Sequence, residues 1–278
     1  MPSSAKVLLL ALILLLTPTL SRAADKALTL WIHPYLPATE LSKRFAPLAA
    51  YLGEALSRPV EIRVQKSYQA HLDFVGRDLA DIAYMGPASY VQLSAHYGRK
   101  PLLAKVEVEG KPSFHGVIIA RQDSHLNTLT DLANKSFAFG DPNSTMSHVV
   151  PRAMLEKAGI TTERLARHDY LGSHHDVALA VLGGYFEAGA VKEEVFLDYQ
   201  GRGLKALART PPIPPHLFLT RADLAPELIA RLRAALLAVH TNPGKKEILS
   251  AIEDSATGLL PVADEDYRGL RKLMGNGK

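Results

Sequence analysis

Between Ala27 and Tyr97 the apolar positions change period five times. Ala27 to Ile32 reads as a strand that ends at His33-Pro34. A helix is expected from Pro37 to Leu56, where Leu41, Phe45, Leu48, Leu52 and Leu56 recur at three or four residues and fall on one face. Val60 to Val64 alternates with period two, as a half-buried strand does. A helical stretch follows from Ser67 to Arg77, then a buried strand, Asp81 to Met85, stopped by Gly86-Pro87, and another helix from Ser89 to about Tyr97. Strand, helix, strand, helix in this order predicts parallel pairing through crossover helices.

The same grammar recurs further on. Strands are expected at Ser113 to Ile119, Ser136 to Phe139, Ala188 to Val191 and His216 to Thr220. Helices are expected at Leu129 to Ala133, Val149 to Ala158, Ser173 to Leu182, Pro226 to Val239, Lys245 to Glu253 and Asp264 to Met274. Thr210-Pro211-Pro212-Ile213-Pro214-Pro215 is the stiffest stretch and reads as an extended connection. The expected fold is therefore α/β, with mixed, mostly parallel sheets in two lobes and a cleft between them. One lobe takes residues 24–112 and 215–278, and the other residues 113–214. Ligands of open α/β sheets bind beyond the carboxyl ends of the strands, which directs attention to the loops there.

The first 23 residues have a different character. Lys6 is followed by an unbroken apolar run, Val7 to Leu16, and then by Ser21-Arg22-Ala23. This is the pattern of a secretory signal, and the run is shorter than the ~20 residues of a membrane span. Export to a periplasm as a soluble chain is expected. The composition, 47% apolar and 22% charged, suits a globular protein. Removing Lys6 and Arg22 with the leader lowers the 32 basic residues to 30 against 28 acidic ones, scattered along the chain, so nothing suggests nucleic acid. Cysteine is absent, which excludes disulfides, thiol nucleophiles, iron–sulfur clusters, thiolate zinc sites and a lipid-modified Cys.

The chemistry must come from other groups. Phe139-Gly140-Asp141-Pro142-Asn143-Ser144-Thr145-Met146-Ser147-His148 sets small hydroxyl residues between a strand end and a helix start. Either Ser144 or Ser147 caps that helix, and Pro151 fits its first turn better if Ser147 does. The N–H groups there would receive an anion. Plain capping, with His148 on the surface, is the bland alternative. Gly172-Ser173-His174-His175-Asp176 brings two imidazoles to another helix start. Adjacent helical side chains diverge by roughly 100°, so the pair does not readily share a metal ion. Tyr84, ending a strand before Gly86-Pro87, and Tyr35 offer a ring wall and a hydroxyl, or simply fill the core. Glu187 opens an apolar strand, where a rim position is the ordinary reading. The chain has no GxSxG elbow, P-loop or HExxH motif.

Taken together, Asp81 to Tyr90, Phe139 to Thr145, Ser173 to Val181 and Glu187 to Ala190 resemble the periplasmic phosphate/phosphite/phosphonate-binding proteins of ABC importers. The likeness extends over nearly all of the chain beyond the leader. It implies a hinged, two-lobed clamp, an ABC permease or a sensor kinase as partner, no cofactor, no bound metal and a monomer. It assigns the oxyanion site to Ser144, Thr145, Ser147 and His148, to His175 with Asp176 in register, and to Tyr84 and Tyr35. Glu187 stands where the family carries Asp, and His174 is an additional histidine. The choice among phosphate, phosphite and phosphonates stays open. Two rival readings stand beside it: a receptor holding zinc or another ligand through its histidines, and a periplasmic hydrolase using His175 and Asp176 as acid and base.

Overall fold

The computed structural model describes residues 26–275. The leader lies outside the described residues. Two sheets organise the chain. The larger contains β1 (Leu28–Ile32), β2 (Val60–Val64), β3 (Ile82–Met85), β4 (Leu102–Val108), β10 (Leu217–Thr220) and β11 (Ala256–Leu260), in the order β11-β4-β10-β3-β1-β2. The smaller contains β5 (Gly116–Arg121), β6 (Ser136–Phe139), β7 (Arg167–Tyr170), β8 (Ala188–Lys192) and β9 (Leu204–Arg209), in the order β7-β6-β8-β5-β9.

Alternation along the strands sets the layers. Leu30 and Ile32 of β1, with Ile82 and Tyr84 of β3, face a core made with α1 (Ala38–Leu56), α7 (Pro226–Leu237) and α8 (Lys245–Ile252). Their neighbours Ala83 and Met85 face the opposite core, with α2 (Tyr68–Gly76), α3 (Pro87–Tyr97) and α9 (Arg268–Leu273). In the smaller sheet Val117 and Ile119 pack against α5 (His174–Leu182) and α6 (Glu193–Gln200), while Ile118 and Ala120 face α4 (Val150–Lys157). Period two thus separates two apolar faces per sheet, each covered by helices.

The sheets are mixed, but less parallel than the alternation of elements suggests. β1 runs parallel to β2 and β3, whereas β10 is antiparallel to both β3 and β4. β6 is parallel to β7 and β8, while β5 is antiparallel to β8 and β9. β11 is antiparallel to β4 as well, and β4, β5, β9 and β10 flank the two passages of chain between the sheets, 109–115 and 210–216. Phe114 and Ile213 form an antiparallel bridge between those passages, with N–H to O=C distances of 2.9 and 3.1 Å.

The helix cap resolves in favour of Ser144. Its Oγ accepts from Ser147 N–H, and the chain makes a π-turn over Thr145–Val149 before α4 begins. The wide turn explains how Pro151 is tolerated. A helical proline crowds the carbonyl four residues back. Here that carbonyl, on Ser147, has turned out to accept from Gly140 N–H at 3.1 Å. α3 begins two residues earlier than the sequence pattern suggests, with Gly86 as cap and Pro87 in the first turn, where its missing N–H is not needed.

Candidate functional site

The carboxyl ends of β1, β3 and β8, the turn after β6 and the start of α5 converge on one cavity of about 100 Å³ between the sheets. A water occupies roughly 10–15 Å³ on this measure, so there is space for a ligand of several heavy atoms. From the larger sheet come His33, Tyr35, Tyr68, Tyr84, His216 and Glu253; from the smaller come Ser144, Thr145, His174, His175 and Lys192.

On the smaller-sheet side each polar group is held by a neighbour. Thr145 Oγ1 accepts from Ala88 N–H at the start of α3, 3.0 Å away, which ties the π-turn to the larger-sheet unit. Lys192 N–H donates to His174 Nδ1 at 3.0 Å. That bond leaves the ring proton of neutral His174 on Nε2, which lies 3.5 Å from Ser144 Oγ. Burial, reinforced by the Lys192 charge, pushes His174 down to about 3, so it enters the site as a neutral donor.

The larger-sheet side is ring-lined. Tyr84 stacks on His216 with centroids 5.4 Å apart and 14° between planes. His33 stands 5.1 Å from His216 and 5.5 Å from Tyr84, centroid to centroid. Burial raises the hydroxyls of Tyr35, Tyr68 and Tyr84 above their ordinary range, so all three remain protonated donors. The Tyr35 hydroxyl is engaged with the Ile252 carbonyl at 3.2 Å. Both ring nitrogens of His33 and Nδ1 of His216 are buried with no hydrogen-bond partner among the described residues.

Lys192, ending β8, meets Glu253 from beyond α8 in a buried ion pair, with Glu194 at 3.4 Å. Burial alone would lower Lys192; the carboxylates of Glu253 and Glu194 overcome it and hold the ammonium above its ordinary value. Burial works to raise Glu253, and Lys192, then His216, outweigh it and hold the carboxyl down. Lysine and glutamate are therefore both charged, bridging the two sheets. Among the described residues no group of three or more His, Asp or Glu is arranged to hold a metal ion.

The chain matches the family model for the periplasmic substrate-binding protein of phosphonate ABC transporters over residues 30–267. It belongs to that family. A relative, the phosphate-import protein PhnD of Mycolicibacterium smegmatis, is 25% identical over 280 residues, covering 92% of this chain and 87% of the relative. The phosphonates-binding periplasmic protein of Escherichia coli is 23% identical, covering 86% and 73%. The structure of PhnD1 from Prochlorococcus marinus in complex with methylphosphonate aligns with a TM-score of 0.80 at 21% identity, covering 89% of this chain and 97% of that one. Such a likeness establishes the two-lobed periplasmic-binding-protein fold.

For a phosphonate-binding family member, the expected site residues divide. Ser144, Thr145, Tyr35, Tyr84 and His175 line the cavity, but the imidazole beside Ser144 belongs to His174. His175 sits further out, its Nδ1 3.5 Å from the Tyr199 hydroxyl. Three of the expected residues do not line the cavity. Ser147 Oγ is wholly buried against Gly140, where a Cβ would stand 2.1 Å from it. His148 braces the turn from behind, between the Pro142 carbonyl at 2.6 Å and the Tyr170 hydroxyl at 3.0 Å. Glu187 precedes β8 at the end opposite Lys192, and its carboxylate accepts from Ser136 N–H at 2.9 Å and pairs with Lys135 at 3.2 Å.

Among the cavity residues that escaped the sequence reading are His33, Tyr68, Lys192, His216 and Glu253. His33 and Lys192 carried a usable signal, because both stand at carboxyl ends of parallel strands. His216 needed the knowledge that β10 runs antiparallel to β3, with Leu217 opposite Met85. Tyr68 and Glu253 sit in an ordinary helical turn and just past a helix end, and carry no local mark.

Proposed function

We propose that this chain captures a small phosphorus oxyanion, such as phosphate, phosphite or a short phosphonate, in the cavity between its lobes and presents it to an ABC permease in the inner membrane. The observation that supports this best is the convergence of uncharged donors on one small space: the Ser144 and Thr145 hydroxyls, His174 Nε2–H and the Tyr84 and Tyr68 phenols. Directed, water-shielded donors hold an oxyanion without a full countercharge. The lobes are proposed as residues 24–112 with 215–278, and 113–214. The chain is further proposed to act in the periplasm as a monomer, its leader removed, without catalysing a reaction on its ligand. A sensor kinase is the alternative reader of lobe closure.

Calorimetric titration of the purified protein, stripped of carried-over ligand, tests the reading with phosphate, phosphite, methylphosphonate and 2-aminoethylphosphonate, against sulfate and zinc as outsiders. One-to-one saturable binding of a phosphorus oxyanion, weakened at least tenfold by Ser144→Ala, is expected. Heat from sulfate or zinc alone would replace the ligand class.

A further inference from the structure

The lining of the cavity carries a charge deficit that the donor inventory does not repair. Lys192 and Arg44 are its two cations, against the carboxylates of Glu194, Asp198, Glu253 and Asp254. Lys192 is already committed to Glu253 and Glu194. With His33, His174 and His216 neutral, the lining is net negative, and a dianion entering it meets repulsion as well as donors.

The His216 ring is placed to correct this. Its Nδ1 lies 3.8 Å from Glu253 Oε2, beyond hydrogen-bond reach, and has no partner among the described residues. Its Nε2 edge and Thr145 Oγ1 converge on Gly86 at the start of α3: a Cβ there would stand 3.7 Å from both. One nitrogen faces a carboxylate and the other lies at the Gly86 and Thr145 end of the cavity. His33, 5.1 Å away, adds two unpartnered ring nitrogens.

We propose that oxyanion binding in this cavity is coupled to uptake of a proton by His216, with His33 as its neighbour in the same cluster of rings. The inference rests on the oxyanion reading above. The proton leaves a buffer acid and ends on an imidazole nitrogen, and no bond within the ligand changes. Protonated His216 then lies between Glu253 and the ligand, one N–H toward each.

The surrounding charges set the direction. His216 is faced by Glu253 beyond α8, Lys192 of β8, His33 beyond β1 and Tyr84 of β3. His33 is faced in turn by Tyr35 and by Tyr68 and His71 of α2, with His174 of α5 acting from the other wall. Without an anion, burial pushes His216 down to about 4, Glu253 opposing and Lys192 reinforcing. Burial, then His216 and His71, likewise lower His33. An oxyanion adds the missing opposite charge and raises the imidazole.

The test is titration of the purified protein with methylphosphonate at mildly alkaline pH, in buffers of low and high ionisation enthalpy that contain no phosphorus or sulfur oxyanion. Uptake approaching one proton per ligand is expected, with affinity weakening up to about tenfold per pH unit as the pH rises. His216→Asn is expected to bind more weakly and to lose at least about half of that uptake. Saturable binding with a heat independent of buffer overturns the coupling and leaves the oxyanion reading standing. Undiminished uptake in His216→Asn overturns the assignment to this residue, since the proton then resides on the ligand or elsewhere. Failure to bind phosphate, phosphite or methylphosphonate removes both readings. The wild-type buffer series decides the coupling even if the variant does not fold.

Discussion

The two walls of the cavity solve opposite problems. On the smaller-sheet wall nearly every polar group is spoken for: Ser144 caps Ser147 N–H, Thr145 holds Ala88 N–H and His174 receives Lys192 N–H. On the larger-sheet wall His33 and His216 keep ring nitrogens unpartnered although both are buried. Buried polar groups without partners are rare because each forfeits its hydration with nothing in return. The contrast separates positioning from demand. The first wall is held by its own hydrogen bonds, and the second keeps buried ring nitrogens without partners among the described residues.

The sharpest way to break this contrast is to uncouple the walls. Lys192→Met leaves Glu253 charged and buried without its partner, and a loss of about 3–5 kcal/mol in urea unfolding is expected. Adding Glu253→Gln should return much of that loss, whereas no recovery in the double variant would mean that the pair is not the bridge described.

A smaller effect is expected from the fixed wall. Thr145→Val removes the acceptor of Ala88 N–H and costs about 1–3 kcal/mol of stability through the unsatisfied donor. Methylphosphonate affinity should fall at least tenfold in parallel. Loss of affinity without loss of stability would show that the cross-lobe bond contributes nothing to the unliganded fold.

The third effect is a slope. His71 of α2, behind His33, is pushed by burial down to about 3. The unfolded chain takes up this proton below ~6.5 while the folded one does not, so stability falls as the pH drops from there through about 3. His71→Leu should remove up to about 1.4 kcal/mol per pH unit from that acid slope, read from urea midpoints between neutral pH and the onset of acid unfolding. An unchanged slope would mean that His71 is protonated in the folded protein.

Much of the fold was legible because its longest signals are periodic. α1 and β2 fall where Leu41 to Leu56 and Val60 to Val64 place them. The elements not anticipated are β4, β7, β9, β11 and α6. β7 reads Arg-His-Asp-Tyr and lies at a sheet edge, where no alternation is enforced by burial on both faces. β4 carries Lys105 and Glu107 among its apolar residues, and Lys105 is satisfied by Asp266, 161 positions away. The cavity was legible where one loop supplies several groups, as Asn143 to Thr145 does. It was not legible where a residue's partner is remote in sequence: nothing near Lys192 or His216 announces Glu253.

The bridge between Phe114 and Ile213 has a mechanical meaning. Only two passages of chain join the sheets, and this pair of hydrogen bonds rivets them together midway. Pro211, Pro212, Pro214 and Pro215 flank Ile213, each ring locks its own φ and Pro214 restricts the residue before it, so the passage is stiff on both sides of the bridge. The connection is a stiffened double crossing rather than a loose tether. Phe114 belongs to both parts of the machine, since it also lines the cavity. A ligand held in the proposed site would therefore lie against the junction through which the two sheets are joined.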